Sequence, residues 1–135
     1  MNPPGGCSSS PPAKAPPQRN VLTGGGVPIS EKAIQSAVLA HWRHLGLPGT
    51  LVAAIPNAGA LGQPGLTKGL FDLLVIGPRR GVAFIELKKD GGKLSQSQHD
   101  FREILIRAGI AHVVTYGRDE PIRVLEEWGI VRKST

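Results

Sequence analysis

The chain has 135 residues, of which 16 are Lys or Arg, 10 are Asp or Glu and one is Cys. A single cysteine excludes a disulfide framework and a cysteine-rich zinc site, and the length allows one compact domain. No apolar run approaches the roughly 20 residues that a membrane-spanning helix needs. We therefore expect a cytoplasmic protein with no membrane partner.

The composition changes sharply near the start of the chain. Residues 1–28 contain 7 of the 12 Pro and 5 of the 18 Gly, with almost nothing to bury. This predicts a disordered Pro/Gly/Ser-rich tail over residues 1–29 and a globular domain over residues 30–135. The domain has 14 cationic and 10 anionic side chains, a net charge of about +4. This balance favours a polyanionic partner, although many basic domains bind no nucleic acid.

The first part of the domain predicts a helix, a strand and a long loop. Ser30 is a good N-cap, and an apolar stripe at helical spacing follows it, so we expect a helix over residues 31–45 that ends at Gly46. Residues 50–55 are short, apolar and partly β-branched, which is typical of a strand. The glycine-rich residues 57–69 predict a loop, and its length suggests a function.

Two apolar runs, residues 70–76 and 82–88, flank a five-residue turn over 77–81 and predict an antiparallel hairpin. Both alternating sets of side chains are apolar, and strand alternation places Phe71 on the same face as Leu73. Such a sheet is expected to be covered by helices on both sides.

The remaining sequence predicts a helix, a strand and a final helix. Ser95 is an N-cap for a helix that runs to about Ala108, residues 110–116 read as a strand, and residues 120–128 read as a short helix. A strand, a helix and a strand in that order imply a right-handed crossover, so the fourth strand should run parallel to the third. The expected fold is a mixed α/β sandwich.

The hairpin brings two carboxylates together. If the turn is centred on Arg79, Asp72 lies opposite Glu86, with Cβ atoms about 5 Å apart, and Lys88 points to the same face. Two poorly solvated carboxylates repel each other unless a proton or a cation neutralises their charge. A hard divalent cation is the expected partner of such a pair. A one-residue slip would move Asp72 to the other face, and single charges near strand ends are usually only solvated.

These residues form a recognisable ordered set. Gly69-Leu70-Phe71-Asp72, followed by Glu86-Leu87-Lys88, resembles the PD-(D/E)XK nuclease signature and, more narrowly, the small stand-alone VRR-NUC proteins of phage and bacteria. The resemblance extends over nearly all of residues 30–135. Further matching positions are Glu31, Pro56-Asn57 and the segment from Lys93 to Gln98. Phe71 departs from the pattern, because the family often has Pro before the Asp.

The resemblance implies a restriction-endonuclease-like αβββαβ core, a four-stranded mixed sheet flanked by helices, with a C-terminal helix added. It also implies an endonuclease that hydrolyses DNA with Mg²⁺ or Mn²⁺ and leaves a 5′-phosphate. In that mechanism Asp72, Glu86 and the main-chain carbonyl of Leu87 hold the metal, and Lys88 orients and acidifies the attacking water.

Two more positions have both a functional and an ordinary interpretation. In related enzymes a first-helix Glu reaches the metal or its water, which would give Glu31 that role; otherwise it is a favourable residue for the helix dipole. The family also places a Gln at the start of the second helix to brace the site, which would give Gln98 that role; otherwise it is an exposed polar residue.

We expect a DNA partner, possibly branched, flapped or four-way, and no small-molecule cofactor. The candidate nucleic-acid-binding residues are Asn57, Lys68, Lys89 and Lys93, although glycine loops are more often only turns. Small stand-alone relatives tend to pair, so a homodimer is expected. The alternatives are a catalytically silent nucleic-acid-binding module of the same fold and a phosphatase or nucleotide-binding enzyme. The last would need a phosphate loop at a helix N-terminus, which the sequence lacks.

Overall fold

The structure is a computed structural model that describes residues 29–56 and 65–134. The predicted tail lies outside the described residues except for residue 29, and Asn57 lies outside them too. In the described ranges, no helix combines the length and the apolar character needed to cross a bilayer.

The described residues contain three helices and four strands in the predicted order. They are α1 (Glu31–Leu45), β1 (Leu51–Ala54), β2 (Leu73–Gly77), β3 (Gly81–Lys88), α2 (Gln96–Ala108), β4 (Ala111–Tyr116) and α3 (Asp119–Glu127). Ser30 caps α1 by accepting a hydrogen bond from the amide of Ala33 at 3.1 Å. At the end of α2, Gly109 adopts a left-handed conformation with φ of 70°, which glycine adopts without steric cost. The expected mixed α/β fold is confirmed.

The four strands form one sheet in the order β1-β2-β3-β4. The first three strands are antiparallel, and β4 runs parallel to β3, as the crossover rule predicts. Ile76 pairs with Val82, so the hairpin is centred on Arg79 and no slip occurs. The turn is shorter than predicted: Gly77 and Gly81 still pair, and only residues 78–80 form the loop.

Helices cover both faces of the sheet. The main core lies between the sheet and helices α1 and α3, where Ile34, Val38 and Leu125 pack against buried strand residues. Those strand residues are Val52, Leu73, Val75, Ala83, Ile85 and Leu87. Helix α2 lies on the opposite face and buries Leu105 there. Because strand alternation sends Glu86 and Lys88 to the α2 face, the candidate site lies between the sheet and α2.

The start of β2 differs from the prediction. The strand begins at Leu73 rather than at residue 70, so alternation does not extend to Phe71. The ring of Phe71 packs edge-on against Phe101 of α2 at a centroid distance of 5.4 Å, and Phe84 meets Phe101 at the same distance. Placing Phe71 on the face of Leu73 was therefore wrong, because the chain turns before the ladder starts and aims this ring at α2.

Candidate active site

Asp72 and Glu86 stand immediately beyond the last ladder pair of the hairpin, Leu73 and Ile85. The two carboxyl groups are close enough for the charge of Asp72 to raise the pKa of Glu86. The amide of Leu87 donates to Oδ2 of Asp72 at 2.8 Å, which fixes that carboxylate against β3. Glu86 is 1% exposed, so almost no water reaches it. The structure thus brings the two predicted carboxylates together, with Glu86 almost fully buried and Asp72 half-buried at the cleft.

Burial makes both carboxyl groups harder to ionise. Loss of water and then the charge of Asp72 raise the pKa of Glu86 to about 8, while Lys88 opposes the rise. Burial also raises the pKa of Asp72, although the hydrogen bond from Leu87 opposes it. Carboxyls with raised pKa values retain their protons more readily, and a bound cation would favour their ionised forms instead.

Lys88 and Gln98 form a network around Glu86. Nζ of Lys88 lies 3.4 Å from Oε2 of Glu86 and donates a hydrogen bond to Oε1 of Gln98 at 3.1 Å. Nε2 of Gln98 donates to the same Oε2 of Glu86 at 2.9 Å. The side-chain amide of Gln98 therefore donates to Glu86 through its nitrogen and accepts from Lys88 through its oxygen.

The start of α2 explains how Gln98 reaches both groups. Gln98 is the third residue of the helix, and it forms a capping box with Ser95. The amide of Ser95 donates to Oε1 of Gln98 at 2.9 Å, and the amide of Gln98 donates to Oγ of Ser95 at 3.2 Å. Capping thus holds the side chain back over the N-terminus of the helix, where Lys88 and Glu86 lie.

The donor set fits a hard divalent cation. Oε1 of Glu86 is buried and has no hydrogen-bond partner within the described residues, so this oxygen has no donor to stabilise it once Glu86 ionises. Over residues 29–56 and 65–134, no three Asp, Glu, His or Cys side chains form a metal-binding group. The available side-chain ligands are then the two carboxylates of Asp72 and Glu86, a number that Mg²⁺ commonly takes while keeping several waters. The role of the Leu87 carbonyl stays a prediction.

Glu31 lies beside the pair but does not complete a three-carboxylate group. Its Oε2 accepts a long hydrogen bond of 3.4 Å from the amide of Lys89, and its charge is close enough to contribute to the raised pKa of Asp72. A role for Glu31 through a metal-bound water stays a prediction.

A cleft of about 340 Å³ opens over the site. Asp72, Lys88 and Gln98 line it, and so does the exposed Lys68. Of the other predicted nucleic-acid contacts, Lys89 is exposed next to Lys88, and Lys93 lines a neighbouring groove. The structure brings only Lys68 of this set into the cleft, within the described residues.

Sequence reasoning missed one buried polar residue of the site. Thr115 is fully buried on β4 and donates its hydroxyl to the main-chain carbonyl of Glu86 at 3.2 Å. No motif marks this threonine, because its contact depends on the parallel pairing of β3 with β4.

Comparison with solved structures places this fold among nuclease-type domains. A structure described as "VRR_NUC domain protein" superposes with a TM-score of 0.63 at 24% identity, covering 78% of this chain and 98% of that chain. Another, described as "VRR_NUC domain", gives a TM-score of 0.53 at 26% identity, covering 72% and 94%. No protein-family model matches the chain, and no curated protein matches it significantly.

Proposed function

We propose that this chain, whose fold matches that of VRR_NUC domain structures, is a Mg²⁺- or Mn²⁺-dependent endonuclease that hydrolyses phosphodiester bonds in DNA. The observation that carries the proposal is the buried, donor-free oxygen of Glu86 beside the Asp72 carboxyl. Once Glu86 is ionised, an oxygen in that position is poorly stabilised unless a cation binds.

Asp72 and Glu86 would hold the metal, with the carbonyl of Leu87 as a further ligand. The bound metal would neutralise charge on the phosphate and make a water more acidic. Such a site uses few protein ligands, because Mg²⁺ retains water readily. The nearly complete burial of Glu86 keeps water away from that carboxyl and strengthens its electrostatic contacts.

Lys88 would orient the attacking water. Its ammonium is held between Glu86 and Gln98, so its position is restrained from two sides. In that position the positive charge of Lys88 would stabilise a developing hydroxide more than neutral water. The hydrogen bond to Gln98 holds the ammonium of Lys88 in a fixed place beside the Glu86 carboxyl. Lys88 and Glu86 share the side-chain amide of Gln98, so movement of either one would disturb the other.

DNA is the proposed substrate, because the domain is basic and a lysine, Lys68, stands at the cleft beside Asp72. A preference for branched, flapped or four-way DNA, and a homodimer with two such sites, are further proposals that come from the family resemblance. Lys89 and Lys93 are proposed to contact phosphates outside the cleft, where both are exposed.

The test is cleavage by the purified full chain. Labelled linear, flap and four-way DNA are incubated in EDTA, Mg²⁺ or Mn²⁺ with wild type, Asp72→Asn, Glu86→Gln and Lys88→Met. We expect metal-dependent cuts from wild type and a loss of at least about a hundredfold in each variant.

Matched controls come from exposed charges outside the site. Glu103→Gln removes an exposed carboxylate of α2, and Lys32→Met removes an exposed lysine of α1. Both should cut as wild type does. If the three site variants also cut normally, the assigned site is wrong. If wild type cuts nothing but binds DNA in a salt-sensitive way, the chain is the catalytically silent binding module instead.

A further inference from the structure

A second groove, of about 590 Å³, lies beside the candidate site on the α2 face of β4. Lys93 and Arg102 stand at its rim, and Leu94, Val114 and Tyr116 provide apolar and aromatic surface. Tyr116 is 42% exposed, a large value for an aromatic side chain at the end of a strand. Lys93 is already proposed as a phosphate contact, and the other side chains have no part in the proposed cleavage reaction.

This groove begins next to Lys88. Tyr116 is the register partner of Lys88 on the neighbouring parallel strand, and adjacent strands lie about 4.8 Å apart. Paired residues point to the same face, so both side chains project towards the α2 side. The next residue, Gly117, donates its amide to the carbonyl of Lys88 at 2.9 Å. A Cβ added to Gly92, which also lines the groove, would lie 3.3 Å from Cδ of Lys88.

The groove has the charge of an anion-binding surface. Among the described residues that line it, none is Asp or Glu. Lys93 and Arg102 are exposed, and neither takes part in the ion pairs found in the described part of the chain. The two histidines of the groove, His99 and His112, add no negative charge. Phosphates are the complementary partner for such a rim.

We propose that this groove binds the single-stranded DNA segment that leaves the candidate cleavage site. The inference rests on the proposed function and specifies the form of its substrate. A cationic rim over an apolar and aromatic floor suits a chain whose phosphates face the rim while its unstacked bases lie on Val114 and Tyr116. A duplex keeps its base faces stacked inside, so it would leave that floor unused.

The experiment measures binding without chemistry. Fluorescence anisotropy of a short labelled oligothymidine and of a blunt duplex is recorded in EDTA with the full chain. The variants are Tyr116→Ala, Tyr116→Phe and Arg102→Ala. The control is Arg123→Ala, which removes an exposed cation of α3 that does not line this groove. A thermal melt of each variant verifies that it is folded.

We expect Tyr116→Ala to raise the Kd for the oligothymidine about five- to tenfold and Tyr116→Phe to restore it, because stacking needs the ring and not the hydroxyl. Arg102→Ala should reduce the slope of log K against log salt by about one. Binding of duplex should change less than about twofold in the tyrosine variants, and Arg123→Ala should bind both probes as wild type does.

Three results would overturn the inference. Unchanged oligothymidine binding by Tyr116→Ala would show that no base lies on this surface, and an equal loss for both probes would make the groove a general phosphate contact. If Tyr116→Ala instead alters only self-association, the free edge of β4 is an interface with a second copy. Failure of the proposed function is separate: it appears as absent cleavage by wild type, whatever the tyrosine variants bind.

Discussion

Gln98 donates a hydrogen bond from Nε2 to Oε2 of Glu86 at 2.9 Å, across the interface between α2 and the sheet. The same side chain accepts hydrogen bonds from Lys88 and from the amide of Ser95. One amide therefore couples the cap of a helix to an acid and a lysine of the neighbouring strand. Removing it frees both charged groups and weakens the start of α2.

Gln98→Ala should lower the rate of metal-dependent DNA cleavage by about 10- to 100-fold, because Lys88 and Glu86 lose their shared hydrogen-bond partner. Steady-state cleavage assays at several Mg²⁺ concentrations would measure this. Gln96→Ala is the matched control, since Gln96 lies in the same helical turn but bonds only to Asp100 among the described residues. Equal rates for the two variants would contradict a positioning role for Gln98.

The stability of the metal-free protein should fall as pH rises through the range set by Glu86. Its pKa of about 8 in the folded protein lies above the value of 4.5 for an unperturbed Glu. Its contribution to stability is thus fully present below pH 4.5, decreases above it and is lost as pH rises through 8. The loss in the free energy of unfolding has an upper limit of about 5 kcal/mol, set by the difference between the two pKa values.

Urea denaturation in EDTA at pH values between 5 and 9 would measure this slope. Glu86→Gln should flatten it, because a neutral amide cannot titrate, whereas Glu103→Gln should leave it unchanged, since Glu103 is largely exposed. A slope in Glu86→Gln as steep as that of wild type would assign the effect to other groups.

Divalent metal should stabilise the folded protein in the absence of DNA. Binding to Asp72 and Glu86 would relieve the repulsion between them, and a metal concentration a hundredfold above Kd adds about 2.7 kcal/mol. For a domain of this size the melting temperature should rise by several degrees at pH 8. Differential scanning calorimetry with Mg²⁺ or Mn²⁺ would measure the rise. It should vanish in Asp72→Asn; persistence there would locate the bound metal elsewhere.

Gly69→Ala should destabilise the protein and distort the candidate cleft. Gly69 has φ of 91°, and an added Cβ would lie 2.8 Å from Cβ of Ser97 and closer still to the Ser97 carbonyl. The combined strain and overlap should cost about 2 to 3 kcal/mol. Gly65→Ala is the matched control, because its φ is 87° but no atom lies within 4 Å, so it should cost only about 1 kcal/mol. Chemical denaturation would compare the free energy of unfolding of the two variants. An equal decrease in both would mean that Ser97 moves aside at little cost.

The hairpin was predictable because its constraints are local. A turn centred on Arg79 fixes which residues face each other, and the structure confirms the pairing of Ile76 with Val82. From that pairing the meeting of Asp72 and Glu86 follows. The strand limits were less predictable, because an apolar residue such as Phe71 fits both a strand and a loop that packs on a helix. In the structure Phe71 precedes β2 and packs against Phe101.

Local sequence patterns were enough to predict the order of helices and strands, the hairpin register and the single face that holds Asp72, Glu86 and Lys88. Turn chemistry and side-chain periodicity act over a few residues, so these features are encoded where they occur. Local patterns did not predict that Gln98 bonds to both Glu86 and Lys88, that Glu31 completes no carboxylate group among the described residues, or that Tyr116 adjoins Lys88. Those contacts join distant segments, and their geometry depends on how α2 and β4 pack against the whole sheet.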